Sequence, residues 1–209
     1  MRSEYLLGVD FSTSQRSMAV ISLNEGTFLF STTLKQDEPV LARLEQTLEI
    51  HKIALNQIAY IAVGVGPGSY TGIRCAISFA TGCNLAIGCK LVAVSSVKAM
   101  LRQIAKEDNG AFSVLVDAQR NEYYRAESNH EREDILEEDN LSILSLEEAT
   151  KIANAYGPDL KNKFPNIKEC YPDAKEIAFL AKSSLRTVEP EDLRPIYIRP
   201  VQFAKWNPS

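Results

Sequence analysis

The chain has 209 residues, 45% of them hydrophobic and 24% charged, with a formal net charge of −4. That composition excludes a disordered or fibrous chain, and the acidic balance excludes a domain that grips nucleic acid alone through a basic face. No apolar run reaches the roughly 18–20 residues a bilayer span requires, and the start Met1-Arg2-Ser3-Glu4-Tyr5 carries no apolar signal region, so a soluble, cytoplasmic protein with no membrane contact is expected.

In chain order, Leu6-Leu7-Gly8-Val9 reads as a buried strand stopping at Asp10. After the polar stretch Ser12–Ser17, Met18–Leu23 is a second strand, Asn24-Glu25-Gly26 a turn and Thr27–Leu34 a third strand, which together make an antiparallel meander. Residues 39 to about 50 are predicted helical, with Pro39 in the first turn and Leu41, Leu44 and Leu48 at helical spacing. Ile58–Val65 is a β-branched strand, and a glycine-rich turn leads to a helix over Arg74–Ala86. Lys90–Val94 is a short strand, and Ser95 caps a helix whose buried face is Val97, Met100, Leu101 and Ile104.

The second half begins similarly. Ser113–Val116 is a strand ending at Asp117, Gln119–Glu122 turns the chain, and Tyr123–Ala126 returns it. Ser145 and Glu148 form a capping box for a helix with Leu146, Ala149, Ile152 and Ala153 on its stripe, ended by Gly157-Pro158. Ala174, Ile177, Ala178, Ala181 and Leu185 define a last amphipathic helix. Each half thus opens with a strand ending in Asp, a turn and a returning strand: either an internal duplication, or coincidence, since Asp is common in turns.

Cys75, Cys83, Cys89 and Cys170 include no C-x-x-C pair and are expected as free, buried thiols. The acidic runs 131–134 and 137–139 read as a solvated loop. His51 and His130 have no histidine four residues on and read as surface residues, so no metal site is expected.

The turn Gly66-Pro67-Gly68-Ser69-Tyr70-Thr71-Gly72 invites a phosphate, since strand, glycine turn and helix often cradle one. It lacks the lysine of a Walker loop, and Gly64, Gly66, Gly68 and Gly72 do not make G-x-G-x-x-G. The remaining reading is architectural. Pro67 stiffens the turn, and Ser69 or Thr71 accepts from free N–H groups at the helix start. Gly72, Ala76 and Ala80 then form a face without bulk, open to a helix of the same lobe or of a partner.

The segment Ala62–Arg74 resembles the signature of the TsaB (YeaZ) proteins, bacterial subunits in threonylcarbamoyladenosine tRNA modification, with Tyr70 where the family usually has Phe. Gly8-Val9-Asp10-Phe11-Ser12-Thr13-Ser14 resembles the family's Asp-Thr-Ser-Thr strand end, Val116–Tyr124 its Asp-Ala-Arg hairpin, and Leu193–Pro200 its Pro-x-Tyr-x-Arg tail. One departure stands out: Asp37-Glu38-Pro39 replaces the His-Ser pair that commonly opens the family's first long helix.

The resemblance implies a two-lobed α/β fold of the actin-like ATPase (ASKHA, RNase H-like) type, with a mixed sheet and flanking helices in each lobe. The lobes are expected over residues 1–100 and 101–209, with the C-terminal helix packing back toward the first. It also implies a non-catalytic subunit without cofactor that binds TsaD, acts with TsaE, and meets tRNA only through the complex. The expected interface is Gly66, Pro67, Gly68, Ser69, Tyr70, Thr71, Gly72, Arg74, Ala76 and Ala80. Two other readings stay open. In a stand-alone actin-like ATPase, Asp10, Ser12 and Thr13 would face metal and phosphate, but Asp117-Ala118-Gln119-Arg120 has none of the glycines expected opposite them. In a homodimeric scaffold, the small-residue face would pair with itself.

Overall fold

A computed structural model describes residues 4–128 and 141–196. The elements are β1 (Tyr5–Asp10), β2 (Arg16–Ser22), β3 (Phe28–Leu34), α1 (Val40–Ile50), β4 (Ile58–Gly64), α2 (Tyr70–Ile87), β5 (Lys90–Val94) and α3 (Ser96–Ile104), then β6 (Ser113–Asp117), β7 (Glu122–Glu127), β8 (Leu141–Ser145), α4 (Leu146–Thr150), β9 (Ala155–Gly157), β10 (Lys168–Glu169) and α5 (Ala174–Ser184).

Two five-stranded sheets result, β3-β2-β1-β4-β5 and β8-β7-β6-β9-β10. In the first, β1, β2 and β3 form the expected antiparallel meander, and β4 and β5 add in parallel to β1. The second has the same wiring: β6, β7 and β8 meander, β9 runs parallel to β6 and β10 parallel to β9. The repetition suggested by the two strand-ending aspartates is therefore present in the topology. It extends to local chemistry, because Asp10 Oδ1 accepts from Ser12 N at 2.9 Å and Asp117 Oδ1 accepts from Gln119 N at 2.7 Å. Each carboxylate folds the chain back on itself two residues later.

The first sheet is covered on both faces. Leu7, Val9, Ile61 and Val63 share a core with Ala76, Ala80 and Cys83 of α2 and Leu44 and Leu48 of α1. Leu6, Ile21, Ala62 and Val92 on the other face pack on Ile177, Ala178 and Ala181 of α5 and on Ala99 of α3. α5 therefore lies against the first sheet, although it follows the second in sequence. Its predicted stripe holds except at Leu185, which is the left-handed C-cap (φ 45°) and is 37% exposed. Val97, Met100, Leu101 and Ile104 of α3 cover one face of the second sheet, while Leu115, Tyr123, Phe164 and Ile167 close the other. At the junction, Glu176 is only 3% exposed and receives Arg102 Nε at 3.1 Å and Lys106 Nζ at 2.5 Å.

Several expectations need correction. The Ser145–Glu148 capping box is present, but its helix stops at Thr150. Ala155–Gly157, expected as the helix end, is instead a strand pairing with Ser113 and Val114; a central strand with both edges to satisfy outweighs a short helical stripe. The other half of β6's pairing is β7, whose own partner β8 was not anticipated. The cysteines are free, but Cys75 is only half-buried. His51 is exposed and stacks on Phe30 at 4.2 Å. His130 and the acidic runs 131–139 lie outside the described residues.

Asp108, in the loop leaving α3, ties that loop to the second sheet. It accepts from Asn154 at 3.0 Å, Gly110 N at 2.8 Å and the Tyr156 hydroxyl at 2.8 Å. These bonds, led by Asn154, pull its carboxyl from 3.8 down to about 2. A carboxyl lowered on folding stabilises above its unfolded value and loses that contribution as pH falls through its folded one. Asp108→Asn should therefore lower the urea midpoint at pH 7, and the gap from the parent chain should close between about pH 4 and pH 2. A pH-independent gap in the urea series would contradict this assignment.

Candidate functional site

The glycine-rich turn wraps the end of β1. Ser69 caps α2 by accepting from Gly72 N at 3.2 Å, so the helix starts at Tyr70, four residues before the predicted Arg74. Ser69 N in turn donates to Ser12 O at 2.6 Å. A Cβ at Gly64 would lie 1.9 Å from Asp10 Oδ2, one at Gly68 2.3 Å from Ser12 O, and one at Gly72 1.9 Å from Phe11 O. None of these positions admits a side chain. The chain's own strand end abuts the turn, and the Phe11 and Ser12 carbonyls meet the positive end of the helix dipole.

Asp10 is wholly buried. Its Oδ1 also accepts the Ser12 hydroxyl at 2.7 Å, and its Oδ2 accepts Ser96 Oγ at 2.6 Å. Ser96 passes the link on: its Oγ accepts from Gly66 N at 3.1 Å and its N donates to Gly66 O at 2.9 Å. Burial raises the carboxyl above its usual 3.8, against the lowering effect of the Ser12 and Ser96 bonds. The reading in which Asp10 faces metal and phosphate is corrected, because its oxygens are turned inward and occupied. Ser12 and Thr13 border the cleft, but the Ser12 hydroxyl is committed to Asp10 and Thr13 Oγ1 donates to Gln15 O at 3.0 Å. Among the described residues no group of three or more His, Cys, Asp or Glu is placed to hold a metal ion.

The cleft between the two sheets has a volume of about 560 Å³. Phe11–Ser14 and Gly68–Gly72 form one wall, and Val116–Gln119 and Pro158–Leu160 the other. Asp117 on the second wall is paired with Lys163 at 2.9 Å. The hairpin beyond it holds Gln119, Arg120 and Asn121 at φ 65°, 57° and 60°. Three consecutive side-chain-bearing residues thus occupy the left-handed region where a phosphate loop would have glycine.

The small-residue face is also corrected. Ala76 and Ala80 are fully buried and Gly72 faces Phe11. They let α2 settle onto its own sheet, so this face meets the chain's own core and not a partner. Gly66 and Pro67 are buried as well. Of the expected interface residues, Gly68 is half-buried and Ser69, Tyr70, Thr71 and Arg74 are exposed. Tyr70 is 56% exposed, and the Arg74 guanidinium lies 3.9 Å from the centre of its ring.

The expected set missed the outward face of α2 beyond Arg74. Ser78, Gly82 and Leu85 lie there with Tyr70 and Arg74, and Leu85 is 81% exposed. A Cβ at Gly82 would meet nothing within 4 Å. The signal was available in the sequence: across all 18 residues of α2 the only charged side chain is Arg74, whereas a solvated helix face normally carries many. Leu41 and Ile50 of α1 are exposed too, at 48% and 71%.

The family model described as TsaD: tRNA N6-adenosine threonylcarbamoyltransferase matches residues 37–192. A Haemophilus influenzae relative named tRNA threonylcarbamoyladenosine biosynthesis protein TsaB is 31% identical over 127 residues, covering 59% of this chain and 53% of the relative. The Escherichia coli protein of that name is 33% identical, covering 58% and 54%. The chain thus spans about half the length of these two relatives, whereas a Bacillus subtilis protein of the same name aligns over 98% of both chains at 24% identity. A Pseudomonas aeruginosa crystal structure, described as an uncharacterised protein with similarity to peptidase YEAZ, superposes with a TM-score of 0.72 at 23% identity over 94% of this chain and all of that one. The two-lobed fold is thereby the same.

Proposed function

The chain belongs to the TsaD/TsaB (YeaZ) family, and from that membership we propose that it is a non-catalytic subunit of the threonylcarbamoyladenosine system. It binds the transferase TsaD and supports transfer of threonylcarbamoyl to tRNA adenosine. TsaE joins the same assembly, and tRNA contacts this acidic chain only through its partners. The first lobe, residues 1–100 with α5 packed back against its sheet, carries the contact, and the second lobe falls within residues 101–209.

The observation that carries this reading is the outward face of α2. Tyr70, Ser78, Gly82 and Leu85 form a nearly uncharged surface along a helix anchored on its other side by the sheet. A large apolar side chain left 81% exposed on such a face fits a surface that another chain covers. The internal commitment of Asp10 to Ser12 and Ser96 supports a role without phosphate chemistry of its own. The same face would serve self-pairing when TsaD is absent, which is the second reading.

Mixing the purified chain with its cognate TsaD tests both. A one-to-one complex should form and displace any homodimer, and a cell lacking this chain should lose threonylcarbamoyladenosine from its tRNA. Separate elution of the two proteins, or hydrolysis of ATP by this chain alone, would overturn the proposal.

A further inference from the structure

The two lobes are joined at the mouth of the cleft by a contact that the partner reading does not use. Ser14, in the β1–β2 turn, donates its N–H to Asp159 Oδ2 at 3.0 Å and its hydroxyl to Asp159 Oδ1 at 2.5 Å. The two residues are 145 positions apart, and both line the cleft from opposite walls. The Tyr171 hydroxyl adds a third, longer bond to Oδ1 at 3.3 Å. Asp159 is held at φ 56°, a left-handed conformation that is uncommon outside glycine, although Asp tolerates it better than most. That conformation places its carboxylate where both Ser14 donors reach it.

Another polar cluster, Glu176 of α5 with Arg102 of α3 and Lys106 just beyond that helix, lies at the lobe junction, and none of its members lines the cleft. The hydrogen-bonded closure at the mouth is thus separate from that ionic junction between the crossing helices. The closure also bears on α2. Two residues before Ser14, the Ser12 carbonyl receives Ser69 N, and the Phe11 carbonyl abuts Gly72. The turn that Asp159 grips is the same turn on which the N-terminus of α2 rests.

We propose that Ser14 and Asp159 form a clasp that fixes the width of the inter-lobe cleft and, through Phe11 and Ser12, holds the start of α2 in the form its partner meets. The second half of this statement rests on the partner reading above; the first does not. An opening of the clasp frees the β1–β2 turn and loosens the Ser69–Gly72 start of the helix. The second lobe thereby acts on the partner surface at a distance, without touching the partner.

Asp159→Gly in the full chain removes the carboxylate while leaving a residue that adopts the left-handed backbone freely. Amide exchange followed by NMR should then accelerate at Ser14 on the order of tenfold, with a smaller acceleration at residues 69–72 and none in α5. Ser14→Ala, which removes one of the two bonds, should fall between. TsaD affinity should drop several-fold in Asp159→Gly. Unchanged exchange at Ser14 would overturn the clasp, and a change at Ser14 that stops short of residues 69–72 would overturn the coupling. Failure of the unmutated chain to bind TsaD would instead overturn the partner reading, and the exchange at residues 69–72 of the free protein would still decide the clasp.

Discussion

Ala76→Glu is expected to unfold the first lobe, not to release a partner from a folded one. Ala76 is fully buried and packs with Val9, Val63 and Ala80 between α2 and the first sheet. A glutamate there adds a methylene and a carboxylate beyond Cβ to a close-packed site, among neighbours that are apolar in the described residues. Overpacking costs about 1–3 kcal/mol, and an uncompensated buried charge costs several more. The sum, on the order of 5 kcal/mol or above, rivals the whole stability of an ordinary domain, about 5–15 kcal/mol. Circular dichroism should show loss of the cooperative transition or a midpoint lowered by tens of degrees. A variant that melts like the parent yet loses TsaD would restore Ala76 to the partner surface.

What made this face ambiguous in the sequence is that small residues at every fourth position describe a surface that can be approached closely, but not what approaches it. Gly72, Ala76 and Ala80 are approached by the chain's own strand end and sheet. The meander, the β4–α2–β5 unit and α3 were legible because their apolar periodicity and caps agree. The strand Ala155–Gly157 was not, because three residues are too few for a period and its identity comes from its pairing with β6, where Ala155 lies opposite Ser113. Asp10 was legible as a strand end but not as a buried hub, since the partner that turns it inward, Ser96, is 86 residues away. The Ser14–Asp159 contact was hidden for the same reason. Only long-range placement creates it, and no local pattern marks either residue.

The outward face of α2 is expected to behave in the opposite way to Ala76. Leu85 is 81% exposed, so Leu85→Glu removes almost nothing from the folded chain, and surface changes of this kind fall within about 0.5 kcal/mol. Its melting temperature should stay within a degree or two of the parent. If a partner covers the face, the same substitution buries a carboxylate at the contact, and a central interface residue of this kind costs about 2 kcal/mol or more, roughly thirty-fold in affinity. Tyr70→Ala should act in the same direction, because it removes the ring against which Arg74 rests. Gly82 supplies the sharper test. A glycine inside a helix costs about 0.5–1 kcal/mol relative to alanine, yet nothing among the described residues stands within 4 Å of its missing Cβ. Gly82→Ala should therefore raise the stability of the isolated protein by about that amount and, if TsaD packs against this face, weaken the complex by holding the two chains apart. If titration calorimetry finds TsaD binding unchanged in Gly82→Ala, Leu85→Glu and Tyr70→Ala alike, the partner meets another surface.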